Sequence, residues 1–328
     1  MTDQEGRLTA DHLRVHFRGR RSQTVKAVDD LMLDIRPGET FCIAGESGCG
    51  KTTLGRALLG LVPKTSGEMS VNAVDPSALR GRALRDFRRR VQVVFQDPMG
   101  SLNPRQTVYE VVAEGIRVHD LEGNEAELVA GALSKVGLRP PERFFLAYPH
   151  ELSGGQRQRV VIASALALSP KILIADEPVS MLDASVRGEI LRLLVDLKEA
   201  LGMTLVLITH DLAVAWSLAD RVAIMYLGRI VEVGTAEQVL TKPAHPYTRA
   251  LLEVAPEVGV RRTQPVLTGE PPDPARVPPG CRFHPRCPLY KGGLDPAIAS
   301  LCTSEDPPLL LAPDGQHAAC HATTGVLW

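Results

Sequence analysis

The chain has 328 residues, 44% of them hydrophobic, which is enough for a full α/β core with material left for an appended domain. Its 37 basic and 38 acidic residues leave a net charge of -1, a balance that provides no global field to hold a polyanion and disfavours a nucleic-acid partner. No apolar run approaches the roughly 20 residues of a membrane span, and the acidic opening Met1-Thr2-Asp3-Gln4-Glu5 lacks an apolar leader, so a cytosolic chain is expected.

From about Leu8 to Ile35 apolar and polar residues alternate around a basic interruption at Arg18-Gly19-Arg20-Arg21, which predicts antiparallel strands and a turn. Phe17, at the end of the first strand, is placed either to stack on an adenine or to fill the core of this lobe. Thr40-Phe41-Cys42-Ile43-Ala44 reads as a buried strand and Thr53 to Leu59 as a helix. Between them lies Gly45-Glu46-Ser47-Gly48-Cys49-Gly50-Lys51-Thr52, a glycine-rich loop whose backbone N–H groups can wrap phosphate oxygens at a helix N-terminus. Lys51 then serves as a point charge on the β- and γ-phosphates, and the Thr52 hydroxyl holds Mg²⁺. Cys49, in that nest beside Lys51, is expected to be a reactive thiolate.

Arg80, Arg82, Arg85, Arg88, Arg89 and Arg90 surround Leu84 and Phe87 at helical spacing, which predicts a solvated cationic face over one apolar edge. Val91 to Phe95 is a buried strand that Pro98 prevents from continuing, and it delivers Gln96 to the edge where open α/β sheets bind ligands. Thr107 to about Gln158 is helical, with one stripe at Val108, Val111, Val112 and Ile116 and another at Leu128, Leu133, Val136 and Leu138. Leu152-Ser153-Gly154-Gly155-Gln156 opens the next helix, Ser153 as N-cap and the glycines leaving N–H groups for an anion. The strand Lys171 to Ala175 ends in Asp176 and Glu177, suited to a Mg²⁺ ligand and to a base polarising water. The strand Thr204 to Thr209 delivers His210 in the same way.

In this order the residues resemble the nucleotide-binding subunit of an ATP-binding cassette (ABC) transporter, over about Leu8 to Leu240. Residue by residue, Phe17 matches the adenine-stacking aromatic, and Gly45 to Thr52, followed by Thr53, the Walker A motif. Gln96 matches the Q-loop and a further Mg²⁺ ligand, Leu152 to Gln156 the LSGGQ signature, and Asp176 and Glu177 the Walker B aspartate and catalytic glutamate. Ser180-Met181-Leu182-Asp183 matches the D-loop, with Asp183 at the nucleotide, and His210 the switch histidine. Met181 stands where Ala is usual and Cys49 where Ser is usual; neither change removes a ligand. The resemblance implies an α/β fold with a P-loop (RecA-like) core, an antiparallel β lobe and a helical subdomain inserted at about 97–160. It also implies ATP hydrolysis in a head-to-tail pair, with a second ATPase subunit that is a copy or a sister chain. Two membrane-spanning permease subunits are implied as partners, one coupling helix docking near Gln96 to Arg117, with indirect dependence on an extracytoplasmic solute-binding protein. The implied location is peripheral, on the cytoplasmic face of the plasma (inner) membrane. Cassette proteins acting on DNA or ribosomes usually carry two cassettes or a long coiled coil, and this chain has one P-loop and no sustained heptads.

Past Leu240, a second resemblance covers 241–328, to the C-terminal extension of the oligopeptide, dipeptide and nickel importer ATPases. It rests on Lys242-Pro243-Ala244-His245-Pro246-Tyr247-Thr248-Arg249 and on Gly280-Cys281-Arg282-Phe283-His284-Pro285-Arg286-Cys287-Pro288, separated by a Pro-rich linker at Pro265 to Pro279. Such a segment cannot bury a core alone, so docking or a metal must hold it. Cys281, Cys287, Cys302 and Cys320 are separated by five, fourteen and seventeen residues, spacing that weakens zinc without selecting iron. The resemblance tips the choice to a [4Fe–4S] cluster, with zinc as the alternative and His284 and His321 as substitute ligands. Its position, far in sequence from Lys51, predicts that ATP binding is independent of it.

Overall fold

A computed structural model describes residues 5–19, 23–254 and 269–323. Arg20 and Arg21 of the predicted turn, the linker from Pro265 to Thr268 and the opening Met1 to Gln4 lie outside the described residues. In chain order the elements are β1 (Leu8–Arg18), β2 (Thr24–Ile35), β3 (Thr40–Ala44), α1 (Lys51–Leu58), β4 (Ser66–Val71), α2 (Gly81–Arg90), β5 (Val91–Val94) and α3 (Pro98–Ser101). Next come α4 (Val108–Val118), α5 (Glu125–Lys135), α6 (Gly154–Leu166), β6 (Ile172–Asp176), α7 (Ala184–Leu201), β7 (Thr204–Thr209) and α8 (Leu212–Leu218). The C-terminal part holds β8 (Arg221–Tyr226), β9 (Arg229–Thr235), α9 (Ala236–Thr241), α10 (Pro246–Val254), α11 (Pro288–Gly293), α12 (Pro296–Ser304), β10 (Leu310–Leu311) and β11 (His317–Ala318). Among the described residues no helix is long and apolar enough to cross a membrane.

Two compact units are formed. The first comprises Met1–Arg7, Arg36–Glu39 and Asn72–Leu207. Here β5 and β6 pair in parallel, Val91 opposite Ile172 and Val94 opposite Ala175, and β6 is buried at every position, as a strand covered on both faces must be. The helices α4, α5 and α6 bury Val108, Val112 and Ile116 against Val129, Leu133, Val136 and Ile162. Val129 takes the inward position and leaves the expected Leu128 half-buried, a one-residue change of phase. Phe87 of α2 is buried while Arg82, Arg85, Arg88, Arg89 and Arg90 face solvent, as the spacing predicts.

The second unit comprises Leu8–Ile35, Thr40–Val71 and Ile208–Trp328. A three-stranded sheet of order β2-β1-β4 forms the antiparallel lobe, with Leu8 opposite both Ile35 and Val71. Gly19 N–H on the carbonyl of Gln23 at 2.7 Å closes the hairpin. In the other sheet of this unit the strands run β10-β11-β9-β8-β3, β3 parallel to β8 and β8 antiparallel to β9.

The segment after Leu240 packs into this second unit instead of standing apart. Glu232 of β9, fully buried, accepts the backbone N–H groups of Ala244 at 2.7 Å and His245 at 2.9 Å, and burial pushes its carboxyl up despite these bonds. His245 is buried as well, Nδ1 accepting the Tyr247 N–H at 3.0 Å, and burial drives its imidazole down to about 3, so it is neutral. Tyr226, Tyr247 and Phe283 form an aromatic box, their ring centroids 4.6, 5.4 and 5.3 Å apart pairwise. This docking supplies the apolar burial that the extension's own composition cannot.

Candidate nucleotide site and thiol cavity

In the second unit β3 ends at Ala44 and the loop Gly45 to Gly50 turns directly into α1, the strand–loop–helix context that a phosphate nest requires. The loop could not be built with side chains at its two crowded glycines. Gly45 has φ 152° and Gly50 φ 107°, and a Cβ would overlap the Met225 carbonyl at the first and the Ala27 carbonyl at the second. Lys51 is 7% exposed, its Nζ donating to the carbonyls of Gly45 at 2.7 Å and Glu46 at 2.9 Å, which satisfies a buried ammonium. A cavity of about 600 Å³ borders Glu46, Ser47, Gly48 and Cys49, with Tyr226, Leu227 and the segment Glu270 to Pro274 on its other walls. Thr52 and Thr53 open α1 and are half-buried, and Phe17 is 41% exposed, so its ring is not part of the lobe's core.

The reading of Cys49 as a reactive thiolate is corrected by this geometry. The residue is 4% exposed, and burial pushes its thiol up against the opposing pull of Lys51, whose Nζ lies 3.8 Å from Sγ. A helix N-terminus lowers a thiol pKa only where the thiolate can be solvated, and here desolvation wins.

Glu46 is fastened from the C-terminal side. Its backbone N–H donates to Tyr247 Oη at 3.0 Å, and its carboxylate receives Arg286 Nη1 at 2.7 Å and Nη2 at 3.0 Å. Burial and the Glu46 charge hold the Tyr247 phenol far above its usual range. A second arginine from the same stretch, Arg282, reaches Asp29 Oδ2 at 2.6 Å and the Leu227 carbonyl at 2.5 Å, and His16 Nε2 lies 2.8 Å from Asp29 Oδ1. Burial alone would raise Asp29. The hydrogen bonds from Arg282 and His16, with the charges of Arg282 and Lys26, outweigh it and hold the carboxyl at about 2. The cysteine segment, distant from the P-loop in sequence, is paired with it directly through Arg286 and Glu46.

All four C-terminal cysteines are buried, and Cys281, Cys287, Cys302 and Cys320 line one small cavity together with His245, His284 and His321. Burial pushes Cys281 up to about 12, Cys302 up to about 11 and Cys287 upward, and the thiols raise one another. Uncompensated, Cys281, Cys287 and Cys302 stay protonated; a cation among them would reverse this. Among the described residues, no group of three or more His, Cys, Asp or Glu stands in metal-holding geometry.

The first unit carries the remaining candidates. Ser153 caps α6: its hydroxyl accepts the Gln156 N–H at 3.3 Å, and Gln156 Oε1 accepts the Ser153 N–H at 2.9 Å, a reciprocal capping box. A Cβ on Gly155 would overlap Val186 of α7, and Gly154 packs on Leu182. Asp176 is buried at the end of β6, and Glu177 follows at φ 51°, a left-handed conformation that a non-glycine residue adopts at a cost of roughly 1–3 kcal/mol. Gln96 and Asp183 are exposed at the ends of β5 and of the D-loop, and Met181 is exposed beside it. His210, exposed in the second unit, precedes Asp211, whose carboxylate caps α8 through the Ala213 N–H at 2.9 Å.

The ABC transporter family matches residues 28–180, and the oligopeptide/dipeptide transporter C-terminal region matches 231–292. A probable peptide ABC transporter ATP-binding protein, y4tS of Sinorhizobium fredii, is 47% identical over 90% of this chain and 82% of its own length. The chain belongs to the ATP-binding subunits of peptide ABC transporters. The oligopeptide transport ATP-binding protein AppF of Bacillus subtilis is 42% identical over 92% of this chain and 91% of its own length. Among solved structures, the ATP-binding cassette MJ0796, in a dimeric post-hydrolysis state bound to ADP and Pi, superposes with TM-score 0.62 at 29% identity, over 70% of this chain and 98% of that one. The fold is that of an ABC ATPase, a mixed sheet with helices, and an ABC cassette of this kind is an ATPase that uses Mg²⁺-ATP. Sequence reasoning missed Arg282, Arg286, Tyr226 and Tyr247 as parts of the P-loop's surroundings. Two arginines flanked by cysteines in an otherwise apolar stretch were the available signal.

Proposed function

We propose that this cassette powers import of di- or oligopeptides, or a related small solute, through two membrane-spanning partner subunits, from a peripheral position on the cytoplasmic face of the plasma membrane. One observation carries the reading: a complete Walker A loop, signature and Walker B pair stand in the same chain as a peptide-transporter C-terminal region matched over 231–292. The partnership with a second ATPase subunit, identical or sister, follows from the signature, which has no task in an isolated cassette. Relatives named for peptide import support the substrate class.

On this reading the backbone N–H groups of Gly48 to Thr53 cradle the triphosphate, and Lys51 exchanges the carbonyls of Gly45 and Glu46 for phosphate oxygens. The cavity beside Ser47 to Cys49 is of a size to admit a nucleotide. Mg²⁺ would be held by Thr52, Gln96 and Asp176, where it neutralises charge on the phosphates. Glu177 orients and polarises the attacking water, His210 senses the γ-phosphate, Phe17 stacks on the base, and Ser153 to Gln156 with Asp183 complete the site of the facing subunit.

For the extension we keep the [4Fe–4S] reading, zinc being the alternative; four buried thiols on one cavity supply the donor set either would need. Bound there, the group would give thiolates a cation and tie the segment 281–320 into one piece. Protein purified without exposure to oxygen should be brown, with iron and sulfide near four each per chain. Stoichiometric zinc without iron would refute the cluster.

The transport assignment is checked by affinity capture from detergent-solubilised membranes. Two polytopic proteins should co-purify with the tagged chain, together with a second cassette if the pair is heteromeric. Recovery of the tagged chain from the soluble fraction with ribosomes or DNA would refute it.

A further inference from the structure

Glu46 places a carboxylate on the loop assigned to the triphosphate, and an unmasked anion there would oppose a polyanionic ligand. Arg286 closes a two-pronged pair on it, Nη1 to Oε2 at 2.7 Å and Nη2 to Oε1 at 3.0 Å, the planar match that a guanidinium makes and an ammonium cannot. The Arg286 side chain is 6% exposed and that of Glu46 23%, so the guanidinium is withdrawn from water while the carboxylate stays within reach of it. Its guanidinium lies 5.8 Å from the Tyr226 ring centroid, and Tyr247 holds the Glu46 backbone N–H. Glu46 is thus gripped at both ends by residues outside the loop. The same cavity is bordered by two more acids from the C-terminal side, Glu270 and Asp273, so an uncompensated charge on Glu46 would add to an already acidic wall. Arg286 immediately precedes Cys287, one of the residues that line the thiol cavity.

We propose that Arg286 is a positioning residue for nucleotide binding: by neutralising and fixing Glu46 it lets the P-loop accept a triphosphate, and ATP affinity thereby depends on the C-terminal extension. This rests on the assignment of Gly45 to Thr52 as the ATP site, and the test separates the two.

The full-length chain is titrated with ATP by calorimetry, as wild type, Arg286→Gln, Arg286→Lys, Glu46→Gln and the double variant Glu46→Gln/Arg286→Gln. Removing the buried partner of this charge pair should weaken ATP binding by about tenfold or more in Arg286→Gln. The deficit should shrink as salt is raised, because the uncovered carboxylate is then screened. Arg286→Lys should fall between, keeping the charge and losing the fork. The double variant should return to within about threefold of wild type, because no carboxylate is then left uncovered beside the phosphates, while the salt dependence of the single variant is what a merely structural role for Arg286 would not produce. Should Arg286→Gln melt below the assay temperature, Arg286→Lys carries the test in its place and should bind ATP more weakly than wild type. Wild-type affinity in a folded Arg286→Gln or, in its place, in Arg286→Lys, or failure of the double variant to recover, overturns the proposal. Wild-type protein that binds no ATP overturns the site assignment and the proposal with it.

Discussion

Glu177→Gln should leave ATP binding near wild type and lower turnover by at least about 10²–10⁴-fold, since the amide keeps the shape and cannot take a proton. Glu177 is set at φ 51° directly after the buried Asp176, and a left-handed glutamate at a strand end is strain that the surrounding structure must hold in place. The substitution keeps the backbone and removes the base proposed here, so it should also accumulate an ATP-bound dimer, visible by size-exclusion chromatography with ATP present. The measurement is phosphate release with the membrane partners reconstituted. Hydrolysis within a few-fold of wild type would move the catalytic base elsewhere.

Asp29→Ala should destabilise the second unit by about 3–5 kcal/mol, because it leaves the buried Arg282 and the half-buried His16 around a missing carboxylate. In a chain of this size that corresponds to a fall in melting temperature of roughly 10 °C, read by circular dichroism. The same carboxylate sets a pH dependence. Its carboxyl is held at about 2 in the fold, below the ordinary aspartate value of 3.8, so its stabilisation is fully present above pH 3.8 and is lost as pH falls through about 2. That titration is worth on the order of 2 kcal/mol, less than the cost of deletion, since a protonated Asp29 still fills its place while Ala does not. In the Asp29→Ala variant this acid-range loss should disappear. An unchanged melting temperature would show that Arg282 finds other partners.

Much of the fold could be read from the residues in order. The P-loop context was legible because a buried strand, a glycine-rich turn and a helix are each specified by neighbours in sequence, and the structure has β3, the loop and α1 at those positions. The N-cap role of Ser153 was legible for the same reason, since a capping box closes over four residues. The inward face of α5 was misjudged by one residue, because helical periodicity in a short, weakly amphipathic segment does not choose between Leu128 and Val129 until α4 and α6 pack on it. Cys49 was misjudged because the sequence shows a cation two residues away and does not show burial; the electrostatic and desolvation effects oppose each other, and only packing sets their balance.

What the sequence determined by itself is the local chemistry: a phosphate loop, a signature helix start, two adjacent carboxylates on a strand end and four cysteines in a core-poor tail. What the tertiary structure alone decided is where that tail goes. Between Glu46 and Arg286 there is no local rule of propensity, period or spacing to connect them, and their pairing follows from the docking of His245, Tyr247 and Phe283 against β8 and β9. Apolar burial brings the segment in, and once it is there the buried guanidinium of Arg286 is compensated by the part-exposed Glu46 carboxylate.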